Sequence, residues 1–574
     1  MYKNIKQVLK LLSFQKKKLY LLFFCLFIAI FLESMSIGIV LPIVLFISDP
    51  SQLNDYSFTL KMLEMGYNSG QIILLLVILL FIIFFLKFVY LSWLAWFKGE
   101  IIYITEYEIS KNLLDFMINK DLDYFLKNNS SDVLNLVVTQ CNLLVDYGVK
   151  SLINFVSDFF LILGILILLL VLEPEISIIS FIFIGVSFYL VNLVTKKRAQ
   201  TWSETKIENE TKRIKQLQEI IGLFKNIKLG SFEKQYQDLY NIYCKESTMV
   251  TKKQFFITSI PRLFAEFSAI IVFSFIIFLM YVSNNLDVVI LPTMALLAAA
   301  SFRILPALGV LQMCLVNFRF ASPIINTTYN LFFNSTQKEN EKNIENPKEK
   351  IFDFKKDLKI ENISFQYDQN QVLFDNANLE IKFGEIVGIE GKSGTGKSTL
   401  INIICGLKNI DKGKVLVDGI DINNNLKGWQ KNLGYVPQNI FLKDDDIESN
   451  IIFGERNIED KQKKLSEVLV QSNLNDFVQS LKKGVKSLTG EKGTLISGGQ
   501  VQRIGIARGL YYSPKLLILD ESTSSLDNES EDQILDELVK FKGKITLLII
   551  SHKRRTLKIC EKIYKIENKK IRLT

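Results

Sequence analysis

The sequence at residues 391–398 is Gly391-Lys392-Ser393-Gly394-Thr395-Gly396-Lys397-Ser398. It fits the pattern GxxxxGK[ST], follows an apolar run typical of a strand, and precedes a run typical of a helix, 399–407. Glycines let successive backbone N–H groups surround phosphate, and a helix N-terminus adds positive potential. The pattern therefore predicts a nucleotide-binding loop formed by these eight residues and Thr399. Lys397 is expected at the β- and γ-phosphates of ATP, and Ser398 at Mg²⁺.

A second motif is Leu516-Leu-Ile-Leu-Asp520-Glu521. Four apolar residues followed by two acids are typical of a buried parallel strand whose carboxyl end is exposed. This pattern is weak by itself, but it gains weight more than a hundred residues downstream of a phosphate-binding loop. It predicts that Asp520 holds Mg²⁺ through water and that Glu521 polarises the attacking water.

A third motif, Ile496-Ser497-Gly498-Gly499-Gln500, resembles the Leu-Ser-Gly-Gly-Gln signature of ABC ATPases, and only Ile496 departs from it. The resemblance implies that Ser497, Gly498, Gly499 and Gln500 of one subunit cap the γ-phosphate bound by another subunit. One chain carries one copy of each motif, so two chains are needed for complete sites. A homodimer is the simplest expectation, and a heterodimer with a related half-transporter stays open.

Four further residues match ABC ATPase positions. Tyr367 resembles the aromatic residue that stacks on adenine, and Gln438 resembles the glutamine that senses Mg²⁺ and faces the membrane domain. Asp527 lies in a Ser-Leu-Asp segment that resembles the D-loop. His552, the single histidine of the chain, resembles the switch histidine at the γ-phosphate. The family usually has arginine after this histidine, and Lys553 stands there instead.

The N-terminal part is dominated by long apolar runs. Each is close to or longer than the roughly 20 residues that a bilayer requires. They predict six membrane-spanning helices, at 19–47, 71–97, 148–172, 175–195, 254–282 and 286–318. Residues 1–18 carry six lysines, whereas the loop 48–70 carries one. This asymmetry predicts that both termini are cytoplasmic.

The polar segments 98–147 and 196–253 predict helices that extend the spans into the cytoplasm, with short turns near 121–135 and 223–235. In the predicted outer loop, the sequence of residues 58–67 is compatible with either a small amphipathic helix or a tethered loop. The predicted domains are a transmembrane domain, 1–334, a linker, 335–350, and an α/β P-loop nucleotide-binding domain, 351–574. The fold class is thus a six-helix membrane domain of the ABC exporter type followed by an ATPase domain.

Charge and cysteine content exclude other classes. The net charge of +9 comes with lysines beside apolar runs, which favours a membrane surface over nucleic acid. The six cysteines form no CxxC pair, so neither a zinc site nor a disulfide framework is predicted.

Charged residues within membrane spans are costly and indicate function. Lys87, Arg262 and Arg303 are predicted at one depth in the cytoplasmic half, where they could form a basic belt for an anionic headgroup such as pyrophosphate. The alternative is pairing with acids, for which the sequence offers Glu33, Asp158 and Glu266.

Segments around Glu33, Arg262 and Arg303 look similar to bacterial lipid-linked oligosaccharide flippases. That resemblance implies a polyprenyl-pyrophosphate glycan as substrate and membrane lipid as surroundings. The abundance of Lys, Ile and Asn is typical of an AT-rich bacterial genome and predicts the inner (plasma) membrane of a bacterium as location. The alternative is an exporter of drugs, peptides or another lipid. A non-transport ATPase and an inactive scaffold are disfavoured by the spans and by intact Lys397, Glu521 and His552.

Overall fold

A computed structural model describes residues 2–48, 53, 57–172, 198–282, 290–340, 352–367, 372–454, 460–522 and 528–574, with isolated positions between 174 and 193. Within 261–297 and 334–340, many side chains also fall outside the described residues. The chain divides into two compact units. The first is Met1–Lys120 with Tyr124–Lys342, and the second is Asp121–Asp123 with Asn343–Thr574.

The described part of the first unit is helical. Its helices are α1 (Tyr2–Leu11), α2 (Lys16–Gly38), α3 (Val40–Ser48), α4 (Ser57–Glu64), α5 (Ser69–Ile118), α6 (Leu122–Lys127), α7 (Ser130–Leu172), α8 (Arg198–Gly222), α9 (Phe224–Gly230), α10 (Glu233–Val282), α11 (Ile290–Phe320) and α12 (Ser322–Asn340). The first two residues of α6, Leu122 and Asp123, are assigned to the second unit.

Four segments of the described residues are long and apolar enough to cross a membrane: Ser13–Ser48, Ser69–Ile118, Ser130–Leu172 and Met294–Phe320. They correspond to predicted spans one, two, three and six. Predicted span four, 175–195, lies almost entirely outside the described residues. Predicted span five falls in α10, many of whose side chains are outside them as well.

The predicted extension of the helices beyond the spans is confirmed, and its location in the cytoplasm stays a prediction. Helices α5 and α10 each have 50 residues, about 75 Å at 1.5 Å per residue, which is far more than a bilayer needs. Short helices, α6 and α9, lie at the predicted turns. Residues 58–67 also contain most of a helix, α4, rather than only a loop, and the location of this segment on the outer face stays a prediction.

The N-terminal half of α7, before its most apolar stretch, contains two π-helical segments, Asn135–Gln140 and Leu144–Val149. Side chains from α1, α5, α7 and α12 bury one another beside them, including Leu11, Ile101, Leu113, Leu144 and Ile325. This apolar packing fixes the long helices against each other, because each buried aliphatic side chain contributes roughly 1.5–3 kcal/mol.

The second unit contains two β-sheets. Its strands are β1 (Asp357–Gln366), β2 (Val372–Lys382), β3 (Ile386–Glu390), β4 (Lys412–Val417), β5 (Ile420–Asp421), β6 (Leu433–Val436), β7 (Leu516–Asp520), β8 (Thr546–Ile550), β9 (Lys562–Glu567) and β10 (Lys570–Leu573). Strands β2-β1-β4-β5 form an antiparallel sheet. Strands β10-β9-β3-β8-β7-β6 form a sheet that is parallel except at β10.

The helices of the second unit are α13 (Lys397–Ile404), α14 (Leu426–Gln430), α15 (Ile447–Ile451), α16 (Lys461–Gln471), α17 (Asn475–Ser480), α18 (Gly498–Tyr511), α19 (Asn528–Val539) and α20 (Arg554–Leu557). Helix α13 packs between the two sheets with Phe354, Phe374 and Trp429. Helices α16, α18 and α19 cover the other face of the parallel sheet. Because both faces are covered, β7 and β8 are buried along their whole length, as predicted for the apolar residues Leu516–Leu519. The prediction that the carboxyl end of the strand is exposed was wrong for Asp520, which is 8% exposed.

Candidate functional site

The site lies at the carboxyl edge of the parallel sheet. The order β3-β8-β7-β6 brings four chain segments side by side, namely the loop 391–396, His552, Asp520 with Glu521, and Gln438. The register keeps the strand ends level, since Ile550 pairs with Ile389 on one side and with Asp520 on the other. Residues separated by more than a hundred positions therefore meet at one edge, where open α/β sheets bind ligands.

The glycine-rich loop has the backbone that the motif demands. Gly394 and Gly396 have φ values of 80° and 100°, in the left-handed region that favours glycine. A Cβ on Gly396 would also lie 3.1 Å from Phe374 Cζ. Gly396 precedes α13, so the N–H groups of the first helical turn point into the loop. Lys397 Nζ donates to the carbonyl oxygens of Gly391 (2.8 Å) and Lys392 (3.2 Å).

Glu521 is the centre of a polar cluster. Its Oε1 lies 2.5 Å from His552 Nε2 and 4.0 Å from Lys397 Nζ. Its Oε2 accepts a hydrogen bond of 2.8 Å from Gln438 Nε2. The backbone of Glu521 has a φ of 48°, which is costly for a residue with a side chain and is typical of functional sites. The structure thus brings together the three residues predicted to be catalytic.

Asp520 occupies the last position of β7 and is buried. Burial, followed by the charge of Glu521, raises the pKa of the Asp520 carboxyl above its usual value. The hydroxyl of Tyr435 lies 3.5 Å from Asp520 Oδ2, and burial raises the pKa of that phenol. Two adjacent carboxylates, one of them buried, are suited to bind a divalent cation. The cation would reduce the repulsion between the carboxylates and compensate for the desolvation of Asp520.

Tyr367 lies at the end of β1 beside the phosphate-binding loop. Its hydroxyl is 3.0 Å from Thr399 Oγ1, at the start of α13. Its ring stands nearly perpendicular to that of Phe365, with the ring centres 5.2 Å apart. The residue is 45% exposed, so part of the ring is available to stack on a flat ligand.

The signature residues begin α18. Ser497 is the N-cap residue, and its hydroxyl accepts from Gln500 N (3.3 Å) while Gln500 Oε1 accepts from Ser497 N (2.8 Å). Ser497 and Gly498 are exposed, and a Cβ on Gly498 would meet no atom within 4 Å. The exposed start of this 14-residue helix is suited to an anion. Asp527, predicted in the D-loop, lies outside the described residues.

One part of the site was not foreseen from the sequence. Glu531 on α19 is 1% exposed, and its carboxylate lies 2.8 Å from Lys553 Nζ and accepts a 2.8 Å hydrogen bond from Thr556 Oγ1. Lys553 directly follows His552, so the ion pair fixes the segment that carries the histidine. The lysine at position 553, where the family usually has arginine, was the signal that the sequence offered. The partner of Lys553 lies on another helix and could not be identified from the spacing of residues in the sequence.

In the first unit, two predicted substrate residues share a carboxylate. Glu33 Oε2 lies 2.6 Å from Lys87 Nζ, and Oε1 lies 2.7 Å from Arg303 Nε. Lys87 also donates to Ser36 Oγ, at 3.0 Å. The pairing with Glu33 that the sequence left open therefore forms. The side chain of Arg262 lies outside the described residues.

Both units match known protein families. Residues 19–305 match the family described as ABC transporter transmembrane region, and residues 374–524 match the family described as ABC transporter. The chain has the fold of a solved bacterial Atm1-family ABC exporter with ATP bound, with a TM-score of 0.78 and 16% identity over 95% of this chain and 93% of that one.

Among curated proteins, the ATP-dependent lipid A-core flippase of Wigglesworthia glossinidia brevipalpis is 26% identical over 93% of this chain and 91% of its own length. A flippase of the same description from Syntrophus aciditrophicus is 39% identical, over 36% of this chain and 34% of its own. A multidrug export ATP-binding/permease protein of Staphylococcus aureus is 39% identical over 37% of this chain and 36% of its own. These two similarities thus span about a third of each relative.

Proposed function

Because this chain belongs to the ABC transporter family, we propose that it uses ATP hydrolysis to move a polyprenyl-pyrophosphate-linked oligosaccharide from the cytoplasmic to the outer leaflet of a bacterial plasma membrane. The observation that supports a substrate with an anionic headgroup is the group formed by Glu33, Lys87 and Arg303. It contains two cations and one carboxylate, so it keeps a formal surplus of one positive charge. Arg303 is 37% exposed and contacts Glu33 through Nε. The far end of its guanidinium can then bind an anionic headgroup, as arginine does with phosphate.

The relative from Wigglesworthia glossinidia brevipalpis, which is similar over 91% of its own length, supports a lipid substrate. It is described as a flippase of a lipid, lipid A-core, and its similarity covers both units of this chain. The drug-export relative is similar over about a third of its length, so its name bears less on the membrane unit.

Hydrolysis is proposed to occur at the edge of the parallel sheet. The N–H groups of 391–398 and the ammonium of Lys397 bind the phosphates, and Tyr367 stacks on adenine. Ser398, Gln438 and Asp520 are suited to hold Mg²⁺, which would neutralise phosphate charge when bound. Glu521 polarises a water whose oxygen attacks the γ-phosphorus as the bond to the bridging oxygen breaks, giving ADP and phosphate. His552 holds the Glu521 carboxylate and reaches toward the γ-phosphate.

A second copy of the chain is the proposed partner. The first turn of α18, with Ser497, Gly498, Gly499 and Gln500, is free to bind the γ-phosphate presented by another subunit, and Asp527 is proposed to lie beside it. Closure of two ATPase domains around two ATP molecules would then drive alternating access. Both termini and the ATPase domains are proposed to be cytoplasmic, because lysines are concentrated there.

A cavity in the membrane unit supports a second candidate, an exporter of amphipathic cations. It has a volume of about 480 Å³ and mainly apolar walls. Its lining residues are Glu266, Ile270, Ser274, Ala298, Ser301, Phe302 and Leu305. One carboxylate among apolar walls suits a drug-like cation better than a pyrophosphate.

The deciding experiment measures glycolipid translocation and ATPase activity in proteoliposomes. Wild type is compared with Glu521→Gln, Arg303→Ala and the control Arg319→Ala, which changes a cation of the same helix beyond the predicted span. We expect Glu521→Gln to stop both activities. We expect Arg303→Ala to stop translocation while hydrolysis continues, and Arg319→Ala to preserve both. Transport of an amphipathic cation without movement of glycolipid would contradict the proposal and favour the second candidate.

A further inference from the structure

Lys408 is a buried cation at the nucleotide end of the second unit. Its side chain is 4% exposed, and its ammonium lies 4.0 Å from the centre of the Tyr367 ring and 5.1 Å from that of Phe365. It also lies 2.7 Å from Asp123 Oδ1, within the segment Asp121–Asp123 that belongs to this unit. A buried ammonium is stable only when paired, and here a carboxylate and two aromatic faces supply the partners.

These contacts hold the Tyr367 ring on three sides. The ammonium of Lys408 lies over its face, the Phe365 ring packs perpendicular to it, and Thr399 Oγ1 is within hydrogen-bonding distance of its hydroxyl. A tyrosine that is 45% exposed would otherwise sample several rotamers, and each binding event would have to immobilise it. The three contacts reduce that entropic cost before a base arrives.

We propose that Lys408 is a positioning residue for the base of ATP, acting through the ring of Tyr367. The inference rests on the proposed role of Tyr367 in stacking on adenine. A cation over one face draws the π electrons of the ring toward it, which makes the opposite face a better surface for electron-rich adenine. Asp123 in turn holds the ammonium in place. Lys408 therefore affects ATP affinity and leaves the chemical step to Glu521.

The competing explanation is that Lys408 and Asp123 form an ordinary ion pair that stabilises the domain. That role predicts a lower melting temperature with an unchanged KM for ATP. The positioning role predicts a higher KM with an almost unchanged kcat, because the base is bound equally in the ground state and the transition state. The two roles are therefore separated by kinetics.

The test uses the full-length protein in lipid nanodiscs, with ATPase rate measured against ATP concentration. Lys408→Met removes the charge but keeps the aliphatic stem, and Lys408→Arg restores a cation. The matched control is Lys515→Met, which removes an ammonium 5.7 Å from the ring centre of Phe383. We expect Lys408→Met to raise KM about 3- to 10-fold with kcat within about twofold, as the loss of a cation–π contact implies. Lys408→Arg should recover most of the affinity, and Lys515→Met should match wild type.

Two further variants keep the test decisive. Asp123→Asn keeps Lys408 but removes the carboxylate that pairs with it, and we expect this variant to raise KM by about two- to threefold. It provides the test if Lys408→Met fails to fold. Tyr367→Ala should raise KM at least as much as Lys408→Met. An unchanged KM in Tyr367→Ala overturns the base site itself. A raised KM in Tyr367→Ala with an unchanged KM in the Lys408 and Asp123 variants overturns the positioning role alone.

Discussion

The carboxylate of Glu33 lies 2.6 Å from the ammonium of Lys87, and Glu33 is 1% exposed. Its other oxygen pairs with Arg303, so one anion on α2 joins α5 and α11. A buried charge without a partner costs several kcal/mol, whereas a paired one is tolerated. The spans are therefore connected by an ionic contact in addition to apolar packing.

We expect Glu33→Gln to lower the stability of the membrane unit by about 3–5 kcal/mol, because it leaves Lys87 and Arg303 without this carboxylate. Thermal unfolding in detergent measures the effect. The control is Glu100→Gln, which breaks an exposed pair with Lys18 of the same length, 2.6 Å, and should cost about 0–1 kcal/mol. Equal losses in the two variants would show that the Glu33 pair is not structural.

We expect Glu521→Gln to reduce ATP hydrolysis at least about 100-fold while ATP binding persists, since a glutamine cannot accept a proton from water. ATPase assays and binding of a fluorescent ATP analogue measure the two effects. Glu567→Gln, a half-exposed acid on β9, is the control and should hydrolyse ATP at the wild-type rate. Hydrolysis retained in Glu521→Gln would place the catalytic base elsewhere.

Removal of the Glu531 carboxylate should slow hydrolysis through His552. Glu531→Gln breaks the ion pair with Lys553, and we expect kcat to fall about tenfold with a loss of about 1–3 kcal/mol in stability. Asp532→Asn is the neighbouring control, since it breaks an exposed pair with Arg555. A variant that is destabilised but keeps its kcat would limit Glu531 to a structural role.

Asp520 should lower the stability of the folded domain at neutral pH. Its pKa is raised in the folded state, so the folded protein holds this proton more tightly than the unfolded chain does. Stability therefore falls as the pH rises from the unfolded value of about 3.9 through the folded value. We expect Asp520→Asn to have a higher melting temperature than wild type at pH 7, in the absence of Mg²⁺ and nucleotide. The difference should shrink toward pH 4, and a constant difference would contradict the assigned cause.

Local sequence patterns were sufficient to predict the glycine-rich loop and the long helices. Glycines with left-handed φ, such as Gly396, follow from the motif because the turn demands them, and apolar runs of bilayer length demand helices. The strand before Asp520 was equally predictable, since a run of four apolar residues fits a sheet covered on both faces.

The sequence by itself therefore determined the family and the order of the two units, and it selected Lys397, Glu521 and His552, which the structure brings together. These depend on short-range rules of backbone conformation and burial, which act within a few residues. Only the tertiary structure decided the partners of charged side chains: Glu33 for Lys87 and Arg303, Glu531 for Lys553, and Asp123 for Lys408. Such pairs join residues from 22 to 285 positions apart. Their choice depends on distances between packed helices and strands, because a buried charge pairs with whichever opposite charge the fold brings within about 3 Å.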